Sequence, residues 1–298
     1  MRRVGYIAVF TLAISLFFTL LVYSLPTQQV NTCPGKPYPV SNFLTRGLQG
    51  LTGLNWGAAK IVESQIEKHV KKSLDKGQVK VHIKPYSAMD LLAGKLKSFD
   101  VKANNVVIDG FFISSAEAKS LCSFTHIDYE KDPIVALAPI LLGYKVTFTE
   151  NDLNSIISSK EYKDNLTKIK LKFSNSDISL IEFLNPDIDI DGNKVFISAD
   201  MHFIGTPKFV IIPVKMGTGL KVKNNRIRLN DVKILSNTFG KNMTIISEFL
   251  EKMTLAVFDI NSLGSENTEI TIKNINVNND KIDIEGTFWI ASKQYQYK

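Results

Sequence analysis

Hydrophobic residues recur along most of this chain with a period of two. Ile169, Leu171 and Phe173 alternate with Lys168, Lys170 and Lys172, and Ile188 and Ile190 alternate with Asp187, Asp189 and Asp191. Alternation of this kind puts successive side chains on opposite faces of an extended backbone, so it predicts half-buried antiparallel strands. Between such runs stand Asp191-Gly192-Asn193, Asn224-Asn225 and Asn278-Asn279-Asp280. These residues tolerate positive φ and predict tight hairpin turns, hence a meander sheet.

Three runs slip phase in the same way. Phe99, Val101 and Ala103 give way to Val106 and Ile108, Ile227 and Leu229 to Val232 and Ile234, and Ile270 and Ile272 to Ile275 and Val277. In each, a polar pair (Asn104-Asn105, Asn230-Asp231, Lys273-Asn274) adds one residue. Two readings fit. A β-bulge would keep the strand continuous and bend it, curling the sheet around a helix to leave an apolar trough. Alternatively, each pair is a tight turn between two short strands.

A period near four replaces the period of two over residues 44–76. Ala58, Val62, Ile66, Val70 and Leu74 mark one apolar helix face, with Lys60, Glu63, Glu67, Lys71 and Lys72 between them. Gly47, Gly50, Gly53 and Gly57 weaken its first part, so a break is expected near Asn55, and Gly77 stands where a helix stop belongs. Thr149 with Asp152 has the spacing of a capping box opening a short helix to about Ser159, and residues 243–258 carry a third helical pattern. The fold class expected is α+β: a long amphipathic helix packed on a curved antiparallel meander sheet.

Some segments are apolar without alternation, notably residues 209–214, Phe111-Phe112-Ile113 and residues 134–142. Such strands are buried on both faces, lying either between core and helix or between core and bound acyl chains. The candidate groove lining comprises Phe99, Val101, Phe111 and Phe112 from the first half of the body, with Leu92 before them. From the second half it takes Ile197, Met201, Phe203, Phe209, Ile211 and Val214.

The amino terminus bears on compartment. Residues 4–23 are apolar and uncharged behind Arg2-Arg3, the pattern of a signal anchor or signal peptide covering residues 1–24. A run of this length reaches roughly 30 Å as a helix, enough to cross the hydrocarbon core, which favours a retained anchor; cleavage after Ser24 is the alternative. The arginines stay cytoplasmic, so the body is expected on the periplasmic or extracellular side of a bacterial inner membrane, or secreted if the leader is cleaved. Residues 25–40, with Pro26, Pro34, Pro37 and Pro39, read as an extended tether, and residues 41–298 as the α+β domain.

Composition narrows the chemistry. The chain of 298 residues carries a net charge of +7 without a dense basic block, so nucleic acid is not an expected partner. Cys33 and Cys122 are its only cysteines, and either a disulfide or two free thiols is consistent with them. Val30-Asn31-Thr32 before Cys33 does not resemble a lipoprotein acylation site. His69, His82, His126 and His202 are scattered, with no HExxH spacing, and no GxSxG, Walker or GxGxxG motif is present. Asp187, Asp189 and Asp191 have the start of a calcium loop, but Ser198 stands where the twelfth-position Glu belongs. Asp109 and Asp128 are carboxylates available for glycoside chemistry, with nothing to place them together. No cofactor, metal site or enzymatic activity is expected.

The order of parts resembles the LmeA-like family of envelope phospholipid-binding proteins over about residues 56–290. The resemblance is carried by the helix of residues 58–74, by Leu91-Leu92-Ala93-Gly94-Lys95-Leu96 leading into Phe99-Asp100-Val101-Lys102-Ala103, and by Val146-Thr147-Phe148-Thr149-Glu150-Asn151-Asp152-Leu153-Asn154. The hairpin from Leu220-Lys221-Val222 to Arg226-Ile227-Arg228-Leu229 completes it. It implies an apolar groove that binds phospholipid, as carrier or presenter, and supplies no catalytic residues. The long apolar amino terminus departs from the family pattern and, if retained, tethers the groove to the membrane.

Overall fold

The computed structural model describes residues 33, 38–42, 46–47, 49, 54–108, 110–131, 134–159, 168–173, 176–207, 210–235 and 268–292. The apolar run of residues 4–23, the helical pattern of 243–258, Phe209 and Asp109 lie outside the described residues.

Helix α1 (Leu54–Lys72) starts at the expected break and buries Ala59, Val62, Ile66 and Val70, spaced three or four apart, while His69, Lys71 and Lys72 occupy its last turn. The helix ends earlier than Gly77, which belongs to strand β1 (Lys76–Pro85) with an extended positive φ. Next come the one-turn helix α2 (Ala88–Leu92), β2 (Lys95–Ile108), β3 (Phe111–Ser120), and the short β4 (Thr125–Asp128) and β5 (Val135–Ala136). Strand β6 (Ile140–Thr149) enters helix α3 (Glu150–Ser158). The capping box forms as expected: the Asp152 N–H donates to Thr149 Oγ1, and the Thr149 N–H donates to Asp152 Oδ2 at 2.8 Å. Strands β7 (Lys168–Phe173), β8 (Ser176–Asp191), β9 (Lys194–Phe203), β10 (Ile211–Lys223) and β11 (Arg226–Ile234) follow, then β12 (Thr268–Asn278) and β13 (Lys281–Ile290).

Among the described residues the fold is mixed and mostly strand, with every pairing antiparallel. The single meander expected is instead two sheets. Strands β7 to β11 do form a meander, in the order β11-β10-β9-β8-β7. In the larger sheet β12, β13, β6, β3 and β2 run side by side, β1 takes the other edge of β2, and β4 and β5 extend from the start of β2. Side-chain alternation cannot specify which strands pair, and β6 separates β3 from β13 by pairing with partners far away in sequence.

The three phase slips are bulges within continuous strands. Register against the partner shifts by one residue at Asn104–Asn105 of β2, at Asn230–Asp231 of β11 and at Lys273 of β12. Asn105 and Asp231 take positive φ values of 50° and 54° there. The hairpin turns also form where expected, with Gly192, Asn224, Asn225, Asn279 and Asp280 at positive φ.

Free strand edges are closed by side chains. Glu67 and Glu63 of α1 accept the outward N–H groups of Val81 and Ile83 on β1, at 2.9 and 2.8 Å. Asn154 of α3 accepts the Ile188 N–H and donates to the Ile188 carbonyl, while Glu150 accepts the Ile190 N–H. Asn225, in the β10–β11 turn, does the same for the Ile272 N–H and the Ile270 carbonyl of β12, at 2.6 Å each. An unpaired strand edge invites aggregation, and an unmet buried N–H is costly, so these contacts both protect the edges and fasten the smaller sheet to the larger.

Glu63, expected on the polar helix face, is therefore buried at 4% exposure. Burial alone would raise its carboxyl, but Lys60, the Ile83 N–H and His82 together hold it below the ordinary glutamate range. Because the folded value is depressed, this stabilisation is full above the ordinary glutamate value and is lost as pH falls through the folded one. Replacing Glu63→Ala leaves the Ile83 N–H unmet and is expected to cost about 1–3 kcal/mol at neutral pH, with a shallower acid dependence than the parent. Chemical denaturation from pH 7 down to pH 3 checks this; parallel stability curves would refute it.

Candidate lipid-binding surfaces

Alternate residues of β9 and β10 build one apolar face of the smaller sheet. Val195, Ile197, Ala199 and Met201 are buried along β9, and Val214 and Met216, opposite Ala199 and Ile197, along β10. Phe183, Ile188 and Ile190 of β8 join them, each paired across β9. This face and the larger sheet share one core, with β12 and α3 lying against it. Of the candidate lining residues, the structure brings Ile197, Met201 and Val214 together here. Phe99 and Val101 are buried in the same core from β2, and Phe111, half-buried, sets its ring edge-on to Phe148 at 5.8 Å. Phe112 is half-buried beside them.

The far end of this face is uncovered. Phe203 continues the Met201 side of β9 but is 39% exposed, and Ile204, Val210 and Ile211 around the β9–β10 connection are 43–44% exposed. Residues 209–214 were expected to be buried on both faces; Val210 and Ile211 correct this, being 43% and 44% exposed, with Ile211 opposite His202 on the outer face of β10. The connection is held by His202, itself buried: Nδ1 lies 2.9 Å from Glu182 Oε1, and Nε2 3.1 Å from the Thr206 carbonyl. Thr206 donates from its N–H and hydroxyl to the Phe203 carbonyl.

Within residues 134–142, Val135 and Leu137 are half-buried, but from Ala138 to Leu142 the run is buried on both faces, and the second cover is the chain's own amino-terminal segment. Leu142 and Ile140 face the main core, whereas Leu141 packs with Tyr38, Cys122, Phe124 and Ala138, flanked by Val40 and Trp289. The structure joins Cys33 to Cys122 in a disulfide with Cα atoms 5.5 Å apart. Tyr38 donates to the Thr125 carbonyl, and Lys95 to the Pro39 carbonyl. His126 lies edge-on to the Tyr38 ring, and burial pushes its imidazole below the ordinary value.

This segment then reaches α2. The Ser41 N–H and hydroxyl both donate to Asp90, whose carboxylate also accepts from the Ser87 hydroxyl at the start of α2. Burial would raise the Asp90 carboxyl; these donors and Arg46 more than offset that and hold it low. Leu92, on the outer side of α2, is 61% exposed and is not part of the apolar face on the smaller sheet.

The clefts along the larger sheet are charged. One, of about 750 Å³, runs between α1 and β1 past Lys60, Glu67, Lys71, Lys80, His82 and Asp100. Asp187, Asp189 and Asp191 alternate with buried Ile188 and Ile190 along β8, an extended geometry that does not wrap an ion. Asp128 is engaged locally, accepting from the Glu130 N–H and pairing with Lys131.

Two layers of antiparallel strand sharing one apolar core, with side chains closing the edges of β1, β8 and β12, define a mostly-β α+β module. The chain belongs to the LmeA-like phospholipid-binding family, whose model matches residues 53–287. No curated protein and no solved structure matches it.

Proposed function

We propose that this protein is an extracytoplasmic phospholipid-binding protein of the bacterial envelope, held at the membrane by residues 4–23, that presents or transfers lipid and catalyses no reaction. Family membership supports phospholipid as the ligand. The observation that carries the site is the exposed end of the smaller sheet, where Phe203 continues the face of the buried Met201 and Val214 beside half-buried Ile212. An acyl chain entering there would extend an existing apolar face.

The test is lipid mass spectrometry on the full chain, purified in parallel with an unrelated single-pass protein. Enriched, stoichiometric phospholipid is expected. Replacing Phe203→Asp removes an apolar contact worth about 1.5–3 kcal/mol if fully buried, so bound lipid should fall by about tenfold or more. A lipid profile equal to the control would point to the other reading, a tethered interaction module without lipid. That reading draws on the close side-chain packing of Phe99, Val101, Ile197, Met201 and Val214.

A further inference from the structure

We infer that the corner where α2 meets the start of α1 is the face on which this protein rests against a phospholipid bilayer. Four large apolar side chains are exposed there: Trp56 at 72%, Met89 at 62%, Leu92 at 61% and Leu54 at 57%. The starts of the two helices lie side by side, because the Ala88 N–H, at the start of α2, donates to Asn55 Oδ1 at 2.7 Å; Leu54 and Trp56 project on either side of Asn55 at that end of α1. Met89 and Leu92 lie three residues apart, on one outer side of α2, while Leu91 between them is fully buried. Helix formation and core packing do not require these outward positions to be apolar.

What covers the corner follows from where the chain enters the body. Cys33 is fixed to Cys122 and Ser41 to Asp90 of α2, so the chain meets the body beside this corner. Residues 24–32 between the apolar run and Cys33 reach at most roughly 30 Å when fully extended. A body tethered so briefly stays within about one bilayer thickness of the membrane, with the entry side turned towards it. The surrounding groups suit the headgroup level: the Arg46 guanidinium stands 5.3 Å from the Tyr86 ring centroid and the Lys95 ammonium 5.6 Å from that of Tyr38. Trp56 is the interfacial residue of this set.

The inference rests on the tether of the proposed function and is independent of the acyl-chain site at the β9–β10 end. Trp56 and half-buried Trp289 are the two tryptophans of the chain, so fluorescence reads the corner directly. The full chain is reconstituted into phosphatidylethanolamine–phosphatidylglycerol vesicles with and without bromine-labelled acyl chains, and compared with Trp56→Phe. The expected result is a blue-shifted emission component, protected from iodide and lost in brominated vesicles, that the variant lacks. Replacing Met89→Asp and Leu92→Asp together should shift that component to the red while flotation with vesicles is unchanged. If the chain floats but the Trp56 component emits as a water-exposed indole and iodide reaches it equally with and without vesicles, the docking face is refuted and the tether stands. A chain that does not float refutes the tether and the docking with it.

Discussion

Reduction of the Cys33–Cys122 bond is expected to lower the melting temperature of this protein by on the order of 10 °C. The bond closes a loop of 89 residues, for which lost chain entropy in the unfolded state is worth up to about 4–5 kcal/mol. A domain of this size shifts by about 2–4 °C per kcal/mol. The loop joins otherwise distant parts: α1, β1 and β2 lie within it, and its closure holds Tyr38 and Val40 over Leu141. Cys33→Ser should reproduce the loss, and Tyr38→Ala should destabilise the protein only while the bond is intact. Thermal melts with and without reductant, alongside thiol titration, decide the matter: two free thiols with an unchanged melt would mean that the segment contributes nothing. A stabilising disulfide also fits the extracytoplasmic location proposed, since oxidising compartments preserve such bonds.

Gly94→Ala is expected to be the most damaging single methyl addition on the α2 side of the larger sheet. Gly94 sits between α2 and β2 at φ +73°, and a Cβ there would stand 1.8 Å from the Ile127 carbonyl oxygen. The contact is backbone, so neither side can rotate away. The Ile127 N–H donates to the Gly94 carbonyl, and the pairs Lys95–His126 and Leu96–Thr125 follow immediately. Moving β4 aside would open the packing of Leu91, Leu96 and Ile127, all buried to within 1%. The left-handed conformation costs about 1–2 kcal/mol for alanine, and the core disruption about 2–5 kcal/mol more. Gly192→Ala supplies the comparison, because Gly192 shares the positive φ, at 59°, with open space around its Cβ position. Denaturant unfolding should show a loss several-fold larger at 94 than at 192. Equal losses would mean that β4 gives way easily.

Short-range features of this fold could be read without a structure. The alternation of Ile188 and Ile190 with their aspartates, the Thr149–Asp152 capping box and the asparagine-rich hairpin turns depend on neighbours a few residues apart. The polar pairs at Asn104–Asn105, Asn230–Asp231 and Lys273–Asn274 marked the phase slips, but bulge and turn give the same local pattern; only the register with β1, β10 and β13 separates them. The order of the motifs carried the family resemblance, which the family match over residues 53–287 establishes.

Glu63, Asn154 and Asn225 were invisible as edge caps, because each has an ordinary surface-residue context in the chain and a distant backbone partner in space. The apolar residues 134–142 and 209–214 looked alike, yet one is roofed by Tyr38 and the other leaves Ile211 in the open. Hydrophobicity specifies that a face seeks cover, while the cover itself comes from remote segments. The sequence by itself therefore determined strand and helix periods, turn positions and family. Tertiary structure alone decided the split into two sheets, the side chains that close their edges and the apolar ends left exposed, because those depend on long-range pairing that no local pattern encodes.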